Sequence, residues 1–350
     1  MKLIKVFSIA VLFALSAISC LSQAQKKATL FLNLPEYCNT PDGMTLSKDN
    51  DIYLSSPNFN NPLFPGVIMK ISPKNELSIF YTMPAHPETK MACPMGLDFG
   101  PDGNLYIADN QYFYNKDHKS RLVRIIFKDG KPLKSEVVVE GMNLANAVIW
   151  KEKNCYVTET RLNLSGEDGT SCIYQFSLDE MNRGTIKLKP GKADSHLIAD
   201  FKTAYTNRGD WAGADGITMD SKGNLYTGNF GNGVMSKITF NDDGTVKSNK
   251  VFVQDKGLTC CDGIFYDAAK NVIYVSDSEK NAIRVVSMDG KVTTLSENAD
   301  TNGADGSMDQ PCEVLVRGNE MVISNFDMPF PGLKNTKFDA PYTLSVIKMK

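Results

Sequence analysis

Histidine is scarce in this chain: His86, His118 and His196 are the only three among 350 residues. That scarcity argues against a zinc site built from imidazoles. A Ser-His-Asp hydrolase is equally poorly supported, because no Gly-x-Ser-x-Gly elbow is present. Basic charge is also lacking. The formal net charge is −2, and it becomes −4 once Lys2 and Lys5 are set aside. Nucleic acid and anionic membrane surfaces are therefore poor partners. After the N-terminal segment there is no apolar run long enough to cross a bilayer.

Residues 1–24 read as an export signal. Lys2 and Lys5 precede an apolar run from Val6 to Ile18, and Ser22-Gln23-Ala24 offers small residues for cleavage before Gln25. The mature protein is then expected to be periplasmic or secreted. A competing reading is a lipoprotein anchored through Cys20, since Ala17-Ile18-Ser19-Cys20 is a loose lipobox. Export permits disulfides. Seven cysteines remain after the leader: Cys38, Cys93, Cys155, Cys172, Cys260, Cys261 and Cys312. An odd count leaves at least one thiol free or bonded between molecules. Cys155 and Cys172 lie on successive predicted strands and are candidates to pair. Cys38 with Cys93, or a vicinal Cys260–Cys261 ring, are the other structural readings. Most of these cysteines fall close to the strand entries described next, so soft-metal binding or redox chemistry is an alternative.

What the chain does have is a phrase repeated six times. A polar or small residue leads into a short strand, a turn follows, and a second strand rich in Tyr, Val and Ile closes the phrase. The copies start at Asp42-Gly43-Met44, Met95-Gly96-Leu97, Asn146-Ala147-Val148, Asp215-Gly216-Ile217, Asp262-Gly263-Ile264 and Glu313-Val314-Leu315. A period of about fifty residues made of strands marks a β-propeller. The expected fold is therefore all-β: one six-bladed propeller over residues 25–350, four antiparallel strands to a blade. Repeat six supplies only three strands before the chain ends. The spare strand Ala28–Leu32 is expected to complete that blade and close the ring, which removes the open sheet edges.

A propeller gathers the first strands of all blades around one axis. Asp42, Asn146, Asp215, Asp262 and Glu313 are thus expected to converge as hard oxygen ligands. Carboxylates crowded in a partly buried site repel one another unless some are protonated or a cation sits among them. Oxygen donors without histidine favour Ca²⁺ over Zn²⁺. By contrast, Asp102-Gly103 lies in a hairpin turn, where backbone geometry alone explains it. The loops at Pro57–Pro65, Asn110–Lys119, Thr160–Thr170 and Phe326–Pro341 are long and aromatic. They offer Phe59, Phe64, Tyr112, Phe113, Tyr114, Phe326 and Phe330 as walls over the axis. Arg208 and Trp211 come from a neighbouring loop, and Arg161 and His118 are the polar candidates for substrate contact.

Ala214-Asp215-Gly216-Ile217-Thr218-Met219-Asp220-Ser221-Lys222-Gly223-Asn224-Leu225-Tyr226, Leu144-Ala145-Asn146-Ala147 and Ile273-Tyr274-Val275-Ser276-Asp277 together resemble the senescence marker protein/gluconolactonase/luciferin-regenerating-enzyme-like family. The resemblance implies a divalent ion, commonly calcium, held at the axis by a Glu, Asn residues and an Asp. It also implies hydrolysis of a sugar lactone or similar ester. By motif Asp215 takes the role of ligand and base; by blade order Asp262 takes it instead. The family's first-blade Glu is Asp42 here, and Glu313 in the last blade stands as its replacement.

The expected function is an exported metal-dependent hydrolase of a small lactone or ester. The cation polarises the carbonyl and Asp215 or Asp262 activates water. The alternative is a non-catalytic propeller that binds a carbohydrate or protein on its upper face. A quinone-dependent sugar dehydrogenase would need a His base and several Arg at the channel mouth. A strictosidine-synthase-like enzyme fits an exported chain with an acidic ring less well.

Overall fold

Short apolar-rich strands, cut at regular intervals by Gly, Asn and Asp turns, pair with their sequence neighbours into six antiparallel sheets of four main strands each. A computed structural model describes residues 25–162, 169–189, 194–204 and 211–350. The proposed leader, Cys20 and Arg208 lie outside the described residues. The innermost strands of blades one to six are Met44–Leu46, Pro94–Phe99, Ala145–Lys151, Ala214–Met219, Ile264–Asp267 and Pro311–Arg317. Each touches the next, and the sixth touches the first, so the ring is closed.

The closure is made as the sequence predicts. Thr29–Asn33 pairs antiparallel with the last strand, Thr343–Lys348, with Thr29 opposite Val346 and Asn33 opposite Thr343. Blade six is thus built from strands near both ends of the described chain, in the order Thr29–Asn33, Thr343–Lys348, Glu320–Asn325, Pro311–Arg317.

The hydrophobic core is divided among the gaps between blades. Leu54 and Met69 of blade one pack with Val322 and Leu344 of blade six. Ile173 of blade three packs with Leu225 and Ile238 of blade four. A buried Tyr on the second strand fills most of these wedges: Tyr53, Tyr106, Tyr156, Tyr226 and Tyr274. Its hydroxyl finds the acidic residue of its own turn in Tyr106–Asp102 (3.0 Å) and Tyr226–Asp220 (3.1 Å). Arg124 and Lys237 lie over those same rings. The phenol therefore buries its ring without stranding its polar end.

At the axis the backbones nearly touch. A Cβ added at Gly43 would lie 2.7 Å from Gly96 Cα, and one at Gly96 would lie 2.6 Å from Ala147 Cα. Here glycine is required by close approach. Blade three departs from the regular plan. A one-turn helix, Leu178–Met181, follows its third strand. Ile186–Lys187 then adds in parallel to the outer strand of blade two.

The seven cysteines of the described residues are buried and form no disulfide. This corrects the expected disulfides. Cys155 stands opposite Phe176 and Cys172 opposite Glu159, which sets the two thiols four ladder positions apart, roughly 13 Å along the strands. A disulfide needs Cβ atoms about 4 Å apart.

Candidate functional site

The site begins with one residue per blade. Asp42, Met95, Asn146, Asp215, Asp262 and Cys312 occupy equivalent places at the entry to the innermost strands, and all six line one cavity on the upper face. In four blades the residue sits in a register shift of the first strand pair: Pro94/Leu97, Ala145/Val148, Ala214/Ile217 and Pro311/Glu313. A bulge at that point turns the side chain out of the sheet's alternation and toward the axis.

Hydroxyls from the second strands pin these entries to the neighbouring blade. Ser55 donates to the Met95 carbonyl (2.6 Å), Thr158 to the Asp215 carbonyl (2.7 Å) and Ser324 to the Asp42 carbonyl (2.7 Å). The Ser278 hydroxyl lies within hydrogen-bond distance of both the Pro311 carbonyl (2.6 Å) and Asp262 Oδ2 (2.8 Å), with its one proton to give to either. Asn146 Nδ2 donates to Asp215 Oδ1 at 2.8 Å. The side chains of Asn146, Asp215 and Asp262 therefore have partners within the protein, while Asp42 is held through its backbone carbonyl.

Glu313 is placed differently from expectation. It stands in line with Gly43, Gly96, Ala147, Gly216 and Gly263, one residue past the ring, because the added Cβ of Gly263 meets Glu313 Cα at 2.7 Å. Cys312 takes the ring position in blade six. The Glu313 side chain enters the channel behind the ring, beside Leu97 and Val148. Its own Oε1 accepts the Val314 N–H at 2.8 Å. It does not line the cavity.

Burial and neighbouring carboxyls raise the acids at the axis. Burial, followed by the charge of Asp262, holds the Asp42 carboxyl well above the ordinary carboxylate range. Glu313 is raised by burial and by Asp262 and Asp42. Asp42 Oδ2 is buried and meets no hydrogen-bond partner. An orphaned acid oxygen among hard oxygen donors is chemistry that suits a divalent cation. Among the described residues no three His, Cys, Asp or Glu side chains stand within reach of one ion, so the cup is open rather than closed around a point.

Loops build the walls. Phe326 and Phe330 come from the long loop of blade six, Phe113 and Tyr112 from blade two, and Phe230 from blade four, around about 280 Å³. Phe59 stacks edge-on against Phe113 and Phe326 from behind. Arg161 lines the cavity and lies 5.5 Å from the Tyr112 ring centroid. Of the predicted contact residues, Arg161, Tyr112 and Phe326 are brought to the cavity. His118 and Trp211 do not line it. His118 sits half-buried near Gly141, its pKa lowered chiefly by burial. The Trp211 ring packs against Gly169.

Sequence reasoning missed the residue that ends each second strand: Ser56, Asp109, Glu159, Asn229, Asp277 and Asn325. These hold the cavity's loops. Glu159 accepts the Asn143 N–H at 2.8 Å and the Leu144 N–H, and burial pushes its pKa up to about 8. Asp109 accepts the Cys93 N–H at 2.7 Å and pairs with Arg121. The signal was present as a polar residue closing every Tyr-rich strand.

No family model and no curated protein matches the chain by sequence. Solved structures do match by fold. The chain is similar to a luciferin-regenerating enzyme, with 11% identity, a TM-score of 0.61, and 92% of this chain and 95% of that one covered. It is similar to a gluconolactonase from Xanthomonas campestris, with 11% identity, a TM-score of 0.57, and coverage of 92% and 94%. It is also similar to the PQQ-bound aldose sugar dehydrogenase of Streptomyces coelicolor, with 11% identity, a TM-score of 0.58, and coverage of 93% and 99%. Together they establish the six-bladed propeller.

Proposed function

We propose that the protein is a hydrolase of a small lactone or related ester, exported from the cell. The observation that carries the reading is the juxtaposition of Asp42, Asn146, Asp215 and Asp262 at the base of one walled cavity. Two of the fold neighbours bear lactonase or luciferin-regenerating names, which agrees with the resemblance of the Asp215 and Asn146 segments. The quinone-dehydrogenase reading finds less support: among the described residues the cavity is lined by no histidine and by a single arginine, Arg161.

A divalent cation, most simply Ca²⁺, would draw on Asn146 and on one or two of Asp42, Asp215 and Asp262 at a time, since no three carboxylates of the described residues stand within reach of one ion. Bound there, it would supply Lewis-acid polarisation of the carbonyl and charge stabilisation of the oxyanion. The protein's own groups do the rest. Asn146 orients Asp215 through its 2.8 Å bond, and Ser278 orients Asp262 in the same way. Either carboxylate is positioned as the general base that takes the proton of the attacking water. The aromatic walls exclude bulk water, which strengthens every charge interaction inside.

The cation is tested by titration calorimetry on the mature protein after chelation. One Ca²⁺ is expected to bind per chain, with binding weakened at least tenfold in Asp42→Asn and hydrolysis restored on its addition. Hydrolysis that persists undiminished in chelator would remove the metal from the account. A cation that binds without turnover of any lactone or aryl ester would instead favour the ligand-binding alternative.

A further inference from the structure

The walls of the upper-face cavity are unlike those a polyhydroxylated ligand needs. Above the oxygen ring the space is bounded by Leu144, Phe230, Phe326 and Phe330. Most polar groups at the cavity are committed within the protein. Thr160 Oγ1 donates to the Ala214 carbonyl at 2.8 Å, Asn146 Nδ2 is held by Asp215, and Arg161 lies over Tyr112.

Two polar atoms differ. Asp42 Oδ2 and Asn110 Nδ2 are both buried without a hydrogen-bond partner, and both residues line this cavity. The orientation of the Asn110 amide is fixed because its Oδ1 accepts the Tyr112 N–H at 2.9 Å. Its NH₂ is therefore the donor left over. Neither atom is exposed to the cavity space, so the surfaces open to a ligand are the walls and the oxygen ring at the base. A chamber with hydrocarbon walls and its polar groups gathered at one end would strip water from a sugar's hydroxyls and replace little of it.

We infer that the cavity selects a ligand with a hydrocarbon body and a single compact polar group, such as a carbonyl, seated on the oxygen ring at its base. The substrate class is then an alkyl- or aryl-substituted lactone or ester, not a sugar lactone. The words lactone and ester rest on the hydrolase reading; the choice of an apolar body over a polyol does not.

Binding and turnover separate the two claims. The probes are two non-hydrolysable six-membered lactams, one carrying a hexyl chain and one fully hydroxylated. They are titrated into the mature protein with Ca²⁺ present. The hexyl lactam is expected to bind at least tenfold more tightly. Phe330→Ser is expected to weaken the hexyl lactam about tenfold and leave the hydroxylated one unchanged. Phe330 is only half-buried, and an unaltered melting temperature identifies a folded variant. Equal or tighter binding of the hydroxylated lactam, failure of both to bind, or indifference of the hexyl lactam to Phe330→Ser would overturn the inference. Rates on the two parent lactones test hydrolysis separately. Selective lactam binding with no turnover of either lactone defeats the hydrolase reading alone, while faster turnover of the hydroxylated lactone defeats the apolar-body inference alone.

Discussion

Several carboxyl groups in this protein are held where water cannot reach them, and their protonation has consequences for stability. Asp309 is the clearest case. Burial, with the charges of Asp327, Asp339 and Asp300 around it, lifts its pKa from 3.8 to about 8, and its Oδ1 has no partner. A group whose folded pKa is raised binds a proton more tightly in the native state. Its stabilising contribution is complete below the unfolded value and is lost as pH climbs through the folded one. Asp327, raised to about 7, and Glu159, raised to about 8, act in the same direction. In chelator the melting temperature is therefore expected to fall between pH 5 and pH 8. Asp309→Asn should recover about 1–2 kcal/mol at pH 8 and flatten the decline, as read by thermal melts across that range. A variant with the wild-type slope would show that Asp309 ionises freely.

At this same scale the sequence was legible only in part. Asp42, Asn146, Asp215 and Asp262 could be picked out because an acid or amide before glycine is not demanded by turn geometry. Glu313 was misassigned by one position because an acidic residue was expected in the ring and Cys312 is not acidic. The neighbouring residues held the correct register. Pro311-Cys312-Glu313 aligns with Pro41-Asp42-Gly43 and Pro94-Met95-Gly96, the proline marking the entry each time. The orphaned donor of Asn110 could not be read at all, since it depends on which way a loop amide faces.

Among the elements, the strand from Thr29 to Asn33 has the largest consequence. It supplies the outer strand of blade six and brings Phe31 and Leu32 against the core shared by blades six and one. Lys26 N–H also donates to the Leu295 carbonyl of blade five at 2.8 Å. Removing residues 25–33 would expose the Thr343–Lys348 edge to other chains. The lost burial is on the order of 3–5 kcal/mol, which for a chain of this size lowers the melting temperature by roughly 10 °C. A synthetic 25–34 peptide should restore it and suppress aggregation measured by light scattering. A truncated protein that melts as the intact one does would mean the ring closes by other means. The strand was visible in the sequence because blade six lacked a fourth strand. The parallel addition of Ile186–Lys187 to blade two was not, because a two-residue strand carries no periodicity to detect.

The whole molecule is a ring whose core is distributed among six inter-blade wedges, and this is why the fold survives without sequence similarity to any family model. Each wedge needs apolar second strands and small residues at the axis, and five of the six second strands add a buried Tyr. These demands are met by residue type, so they repeat in sequence and are readable there. The site makes a different kind of demand. It uses the one position per blade that the wedges leave free, and the residues placed there differ from blade to blade: Asp, Met, Asn, Asp, Asp and Cys. Fold likeness at 11% identity cannot choose among the chemistries such a ring supports. The choice falls to the oxygen donors and the walls above them.

Hydrolysis is proposed to take place in this cup and in no other part of the molecule. It is tested most directly by initial rates on an alkyl lactone and an aryl ester for the mature protein and for Asp215→Asn/Asp262→Asn, each with Ca²⁺ present and with folding checked by thermal melt. The account predicts a loss of about 10²-fold or more in kcat for the double variant, with the six-bladed fold retained. Wild-type rates in a folded double variant would contradict it.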